Sequence, residues 1–274
     1  MRYYTALTIA GSDSCGGAGI QADIKTMSAL GVYAASAITA ITVQNTKGVY
    51  GIQNVEPEIV KGQIEAVMED IHLDAIKIGM VNDCDTIRAI AETLKKYQES
   101  FQYLIIDPVM VSTSGCRLMQ EDALDVFITE LLPLATLLTP NIPEAEILAG
   151  MKIENAEDIK AAAAAICKLG CRYVLIKGGH FDGAEKVDYL FEDGKQKTSY
   201  RGISVNTRNT HGTGCTLSSA ITSYLAREMD MNTAIAMAKT YLSGAILAGK
   251  DIKIGEGHGP VNHFYEPKSL FTKS

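Results

Sequence analysis

The chain has 274 residues, 47% of them hydrophobic and 21% charged, with a net charge of −7. That length and balance suit a globular protein built as one large α/β domain or two small ones. An acidic chain without a basic run argues against a nucleic-acid protein, whose affinity rests on neutralising phosphates.

Short β-rich runs alternate with longer helical patterns almost from end to end. Leu7 and Ile9 belong to a first strand, and GSDSCGGAG is the turn after it. Ile20, Ile24, Met27 and Leu30 then share a helical face, with Gly31 placed to terminate it. VYAASAITAITVQN reads as a buried strand, and Pro57 opens a helix whose apolar face runs through Val60, Ile64, Val67 and Ile71. AIKIGMV is a strand, and Ile87, Ile90, Leu94 and Tyr97 mark the next helix. YLIIDPV and TLLTPN are two further strand ends, separated by a helix around Leu124 to Leu132. Asn155 and Asp158 resemble a capping pair before an alanine-rich helix that stops at Gly170. RYVLIKGG is a strand, after which Asp193-Gly194 between β-rich runs signals a hairpin. Two helices follow, beginning near Gly214 and Asn232. The pattern predicts a single α/β domain over 1–274, with a mostly parallel sheet covered on both faces and a small antiparallel excursion.

The six cysteines (15, 84, 116, 167, 171, 215) contain no CxxC pair and read as reduced thiols. Cys167 and Cys171 lie four apart without another thiol or histidine at ligand spacing, so packing accounts for them better than a metal. The N-terminus lacks a signal-sequence pattern and no stretch approaches the roughly 20 apolar residues of a membrane helix, so a cytoplasmic protein is expected.

Parallel sheets bind ligands beyond the carboxyl ends of their strands, which directs attention to the loops there. GSDSCGGAGIQAD lets backbone approach a ligand closely, and Asp23 near the helix start is either a ligand contact or a first-turn acid. Gln44 in VQNT offers a donor and an acceptor together, suited to a ring with adjacent amino and nitrogen groups or simply to loop backbone. Asp107 in IIDPV, with Asn141 and Glu144 in TPNIPE, could hold a hydrated magnesium ion. Taken singly, Asp107 also reads as a turn residue before proline and Glu144 as a first-turn helix acid. Lys177 in KGGH could meet phosphate charge, while His180 reads as structural. NTHGTGC resembles a phosphate cradle without the Lys-Ser/Thr pair of a Walker A loop; the free amides of a helical first turn can bind an anion unaided.

In this order the motifs ALTIAGSDSCGGAGIQADIKT, ITVQNT, KIGM, DPVM, TPNIPEAEIL, KGGH, NTHGTGCTLS and GHGPVNHF resemble the ribokinase superfamily. More narrowly they are similar to the hydroxymethylpyrimidine and phosphomethylpyrimidine kinases of thiamine biosynthesis, across residues 4 to 265. The resemblance implies a ribokinase-like three-layer α/β/α fold, dependence on ATP and Mg2+, and a homodimer. It implies phosphorylation of 4-amino-5-hydroxymethyl-2-methylpyrimidine and then of its monophosphate. Carried over by position, Gln44 matches the pyrimidine-binding glutamine, and Gly11, Asp23, Met80 and Val109 match the pocket around it. Asp107, Asn141 and Glu144 match the magnesium and phosphate region, and Gly212, Thr213 and Gly214 the anion hole. Cys215 stands where most ribokinase relatives have a catalytic aspartate. The chain departs from the family at VSTSGCRL, where Thr113 and Cys116 replace an expected lysine and aspartate, so no role is carried to that loop.

A thiol has an ordinary pKa near ~8.5, and a helix N-terminus is expected to lower that of Cys215. It is thus read as the base for the alcohol acceptor, and less needed for the phosphate acceptor, whose second pKa is about 6. A covalent nucleophile is disfavoured because in-line transfer needs none. The runner-up activity is a pyridoxal kinase or a dual-specificity enzyme. A sugar kinase is disfavoured by the missing aspartate, and a vitamer sensor by the complete set of acids, amide and thiol.

Overall fold

The alternation of β-branched runs with 3.6-period segments becomes a nine-stranded sheet with helices on both faces. The computed structural model describes residues 1–111, 115, 118–179, 186–202 and 204–274; Thr113, Cys116 and His180 lie outside them.

The chain opens with β1 (Arg2–Tyr3), β2 (Thr5–Asp13), α1 (Gly19–Ala29), β3 (Tyr33–Asn45) and β4 (Gly48–Asn54). It continues through α2 (Pro57–Asp70), β5 (Ala75–Ile78), α3 (Cys84–Lys96), β6 (Tyr103–Ile106) and α4 (Ala123–Val126). After β7 (Leu137–Leu138) come α5 (Ile142–Ala149), α6 (Ala156–Cys167) and β8 (Tyr173–Gly179). The remainder is β9 (Lys186–Glu192), β10 (Lys195–Gly202), α7 (Thr213–Ala226), α8 (Met231–Gly249) and β11 (Thr272–Lys273).

The sheet order is β10-β9-β8-β7-β6-β5-β2-β3-β4. Strands β3, β2, β5, β6, β7 and β8 run parallel, as the crossover helices between them require. Successive side chains on these strands face opposite layers. Leu104, Ile106, Leu138, Val174 and Ile176 pack with α2, α3, α5 and α6. Their neighbours Ile105, Leu137 and Leu175 pack instead against α7 and α8.

Several helix ends follow their sequence signals. Asp83 caps α3 by accepting from Thr86 N at 2.9 Å, and Asn155 caps α6 by accepting from Glu157 N and Asp158 N. Asp193 and Gly194 adopt φ of 49° and 75° in the predicted hairpin, the left-handed pair of a two-residue turn.

Three expectations change. A second antiparallel addition, β3 with β4, goes beyond the expected excursion, because GVYGIQN alternates only weakly. That pairing carries the end of β3 beyond the helical layers, leaving Ile41 and Val43 at 53% and 63% exposure in a strand read as buried. The helix around Leu124 to Leu132 is only one α turn, followed by a π turn over Phe127–Leu131 and a 3-10 turn over Leu132–Leu134. Pro133 has no N–H to extend the ladder. Among the described residues the cysteines are free thiols, and Cys171 is buried with its Sγ 3.0 Å from Tyr173 O, in keeping with packing.

Candidate active site

The parallel strands all end at one edge of the sheet, so loops far apart in sequence share a cavity of about 710 Å³. Gly11 and Asp13 come from the end of β2, Gln44 from β3, Met80 from the loop after β5, and Asp107 and Val109 from beyond β6. Asn141, Glu144 and Lys177 come from beyond β7 and from β8, and Gly212, Thr213, Gly214 and Cys215 from the start of α7. Every predicted site residue except Asp23 lines this space. Gly11 is tight against the wall: a Cβ there would stand 3.0 Å from Met80 Sδ.

Helix α7 begins without a side-chain cap, at Gly212 with φ 79°. A Cβ at that position would overlap Gly17 O, so glycine is required for both conformation and approach. The amides of Gly214 and Cys215 lie in the first turn, where N–H groups lack an intrahelical partner, and both residues line the cavity. The rest of α7 is buried, and its hydroxyls bond back along the helix, Thr216 to Gly212 O at 2.8 Å and Thr222 to Ser218 O at 2.8 Å.

Beside this terminus sits a charged cluster. Asp107 accepts from Lys177 Nζ at 2.8 Å and Thr139 Oγ1 at 3.0 Å, with Ser218 Oγ 3.5 Å from its other oxygen. Burial works against its charge, but Lys177 and Lys77 outweigh that and hold the carboxyl below its ordinary range. Glu144 behaves oppositely. Burial pushes its carboxyl up to about 7, Asp107 adds to the rise, and Lys177 opposes it. Glu144 also closes a capping box with Asn141: Asn141 N donates to Glu144 Oε2 at 2.8 Å, and Glu144 N donates to Asn141 Oδ1 at 2.9 Å. The first-turn reading of Glu144 is therefore correct, and the carboxylate still reaches the cavity.

Two expectations fail here. Asp23 is fully buried beneath the site and not on its wall. Its oxygens accept from Lys77 Nζ at 2.8 and 3.0 Å, Thr8 Oγ1 at 2.6 Å and Ser219 Oγ at 2.6 Å, which consumes them. The thiol of Cys215 is also not lowered. Burial pushes it up to about 11, Lys77 pulls it down, and Asp23 and Asp107 reinforce the rise. The helix terminus is outweighed because the half-buried thiol is partly desolvated and stands near two carboxylates.

Sequence reasoning missed Lys77, Asp13, His211 and Lys239. Lys77 carried a readable signal, a lone lysine inside the apolar strand AIKI, which is tolerated only with a buried partner. Burial disfavours its ammonium, but Asp23, Cys215 and Asp107 raise its pKa overall. Lys239, on α8, pairs with Asp188, which also accepts from Gly178 N at 2.8 Å; with Leu242, Ser243 and Ile246 it lines the cavity. Asp13, Cys15 and His211 bring ligand-type atoms within 4.8 Å of one another. Three backbone amides and the imidazole already occupy the Asp13 carboxylate, so it is a poor metal ligand. The cavity can thus hold a polyanion at α7, with Gln44 and Lys239 both on its wall.

A family model for phosphomethylpyrimidine kinase matches residues 13–262. A hydroxymethylpyrimidine/phosphomethylpyrimidine kinase of Rhizobium meliloti (strain 1021) is 50% identical over 261 residues, covering 95% of this chain and 97% of that protein. The crystal structure of phosphomethylpyrimidine kinase from Clostridium difficile 630 is 50% identical, with a TM-score of 0.78 over 88% of this chain and 99% of that one. An ADP complex of Bacillus subtilis pyridoxal kinase is 35% identical, with a TM-score of 0.86 over 96% of this chain and 98% of that one.

Proposed function

This chain belongs to the phosphomethylpyrimidine kinase family, and from that premise we propose how its one domain carries two successive phosphoryl transfers. It is a kinase that phosphorylates 4-amino-5-hydroxymethyl-2-methylpyrimidine and then its monophosphate, in thiamine biosynthesis. ATP is the donor, in keeping with the ADP complex of the pyridoxal kinase relative.

The observation that carries this reading is the sharing of one cavity by Gln44 and the uncapped start of α7. Gln44 pairs its amide with the amino group and adjacent ring nitrogen of the pyrimidine, while Gly11, Met80 and Val109 form the wall around the ring. That leaves the wall at Lys239, Leu242, Ser243 and Ile246 to the nucleotide. Lys177 and Asn141 meet its phosphates. The anion hole at Gly212 to Gly214, with the free amides of Gly214 and Cys215, receives charge on the phosphoryl group in flight, where positioning and electrostatics do most of the catalysis.

Asp107 and Glu144 suit a hydrated Mg2+. Both carboxylates are already held by protein donors, which favours contact through the ion's waters over direct ligation. Burial and the neighbouring Asp107 disfavour the Glu144 carboxylate, and a divalent cation at this place would favour its ionised form. When bound, the ion screens phosphate charge during transfer. Cys215 receives the proton of the alcohol in the first transfer, acting through its thiolate form. The second transfer needs no such acceptor, because a phosphate oxygen is already ionised.

The protein works as a homodimer. Strand β4 is one of the sheet's two edges, and Ile41, Val43 and Tyr50 on the β3–β4 hairpin are 53%, 63% and 65% exposed, an apolar patch that a second copy would cover. A catalytic thiol suits the reducing cytoplasm; no helix among the described residues is long and apolar enough to cross a membrane.

The test is a mass-resolved kinase assay offering the pyrimidine alcohol, its monophosphate and pyridoxal side by side. Both pyrimidines should gain phosphate at the expense of ATP. Phosphorylation of pyridoxal alone would replace this reading with a pyridoxal kinase, and absence of turnover on all three would replace it with a sensor.

A further inference from the structure

We propose that His211, anchored by Asp13, is a positioning residue that locks the orientation of the Gln44 amide and so decides which pyrimidine edge the site accepts. This rests on the reading of Gln44 as the pyrimidine contact.

Asp13 ends β2 almost fully buried. Its Oδ1 accepts from Cys15 N at 2.8 Å, and its Oδ2 from Gly17 N at 3.0 Å and Ala18 N at 2.8 Å. His211 Nε2 lies 2.8 Å from the same Oδ2. Burial works against the charge, yet His211 and the amides of Ala18 and Cys15 hold the carboxyl below its ordinary range. An ionised carboxylate only accepts, so the imidazole must carry its hydrogen on Nε2. The ring has little freedom to turn away. It is 7% exposed, its backbone N donates to Gly259 O at 3.0 Å, and it presses on Gly17, where any Cβ would overlap Cδ2.

The end of the Gln44 amide placed as Nε2 lies 3.3 Å from that same His211 Nε2, and the end placed as Oε1 lies 3.2 Å from Thr42 Oγ1. Two donors cannot share the first contact. Exchanging the amide's oxygen and nitrogen, which have nearly the same shape, removes that clash: the oxygen then shares the Nε2 hydrogen with Asp13 Oδ2, and the nitrogen faces Thr42 Oγ1. Thr42 can accept there because its own hydrogen goes to Ser12 O at 3.0 Å. Both contacts are then complementary, whereas rotating the amide by half a turn sets two donors together at His211 and makes the Thr42 hydroxyl choose between Gln44 and Ser12 O.

The consequence is chemical. A free glutamine reads two opposite edges equally well by rotating: an amino group beside a ring nitrogen, or a carbonyl beside a ring N–H. A locked glutamine offers its remaining lone pair and its remaining N–H in one order only. It accepts the aminopyrimidine edge and rejects the oxo edge, which has donor and acceptor exchanged, because unmatched polar groups are left in the closed site.

The experiment compares kcat/KM for 4-amino-5-hydroxymethyl-2-methylpyrimidine and its 4-oxo analogue, using the full chain and ATP. Gln44→Ala should abolish most of the preference for the amino compound. His211→Phe should reduce that preference about tenfold, with the change falling on KM more than kcat. His211→Gln, which returns an N–H near the position of Nε2, should restore it. His211→Asn falls short of that position and should repeat the loss, which covers the case in which the phenylalanine variant does not fold. Because both acceptors are measured on one preparation, a general loss of structure cancels in the ratio. If Gln44→Ala collapses the preference while His211→Phe and His211→Asn keep the wild-type ratio, the positioning role is overturned and the pyrimidine reading stands. If Gln44→Ala itself leaves the ratio unchanged, the pyrimidine reading fails and the inference fails with it.

Discussion

The raised thiol of Cys215 turns its role as proton acceptor into a quantitative pH prediction. With the thiol at about 11, only about one molecule in ten thousand carries a thiolate at pH 7, and about one in a hundred at pH 9. If the alcohol proton passes to that thiolate, the first transfer should speed up about tenfold per pH unit over this range. The second transfer should stay nearly flat, because its acceptor phosphate has a second pKa of about 6 and is already ionised. The ratio of alcohol to phosphate turnover should therefore climb about a hundredfold between pH 7 and pH 9. Taking the ratio removes changes in ATP, metal or fold that both reactions share. Initial rates of ADP release at saturating ATP and magnesium, for each acceptor in parallel, supply the measurement. In Cys215→Ala the ratio should fall and lose its slope. Parallel pH profiles for the two acceptors, or a slope that persists in Cys215→Ala, would refute the proton-acceptor role and leave the cysteine as packing at the mouth of the anion site.

Three further outcomes follow from the geometry. Lys77→Met strands the fully buried carboxylate of Asp23 and should cost about 3–5 kcal/mol in urea unfolding, while Lys77→Met combined with Asp23→Leu recovers much of it; a single-variant loss under about 1 kcal/mol would contradict a buried, mutually dependent pair. Asp74 is held below its ordinary range: burial opposes its charge, but Arg2, through contacts of 2.6 and 2.7 Å, and Thr5 N at 2.9 Å prevail. A depressed folded pKa stabilises only above the unfolded value, near ~4, and the benefit disappears as the pH falls through the folded one, so the urea-midpoint gap between wild type and Asp74→Asn should close as the pH drops below ~4. A gap that widens in acid would reverse that assignment. Val43→Lys places a charge in the exposed patch of the β3–β4 hairpin and should shift the protein to monomer in light scattering; an unchanged dimer would locate the subunit contact elsewhere.

Much of the catalytic edge was legible because parallel sheets deliver function through strand-end loops, and such loops carry local signals. VQNT, DPVM, TPNIPE and GTGC each combine a strand end with polar or glycine residues, and each lines the cavity. The capping box of Asn141 and Glu144 and the turn at Asp193-Gly194 were readable for the same reason: a cap or a turn is decided by residues within four positions of one another. The β3–β4 hairpin escaped because GVYGIQN has too few alternating apolar residues to declare a face.

Pairings across the sheet were not legible. Asp23 meets Lys77 from 54 positions away, and His211 meets Asp13 from 198. Strand order decides both, and nothing near Asp23 distinguishes a ligand contact from a buried ion pair. Cys215 makes the same point in energy. Its position in GTGC announced a helix terminus that lowers a thiol, but desolvation and the nearness of Asp23 and Asp107 reversed the sign. Local sequence determined which residues reach the edge of the sheet. Their protonation, and the locked amide of Gln44, were decided by tertiary structure, because dielectric and charge neighbours are properties of the packed interior that no short segment contains.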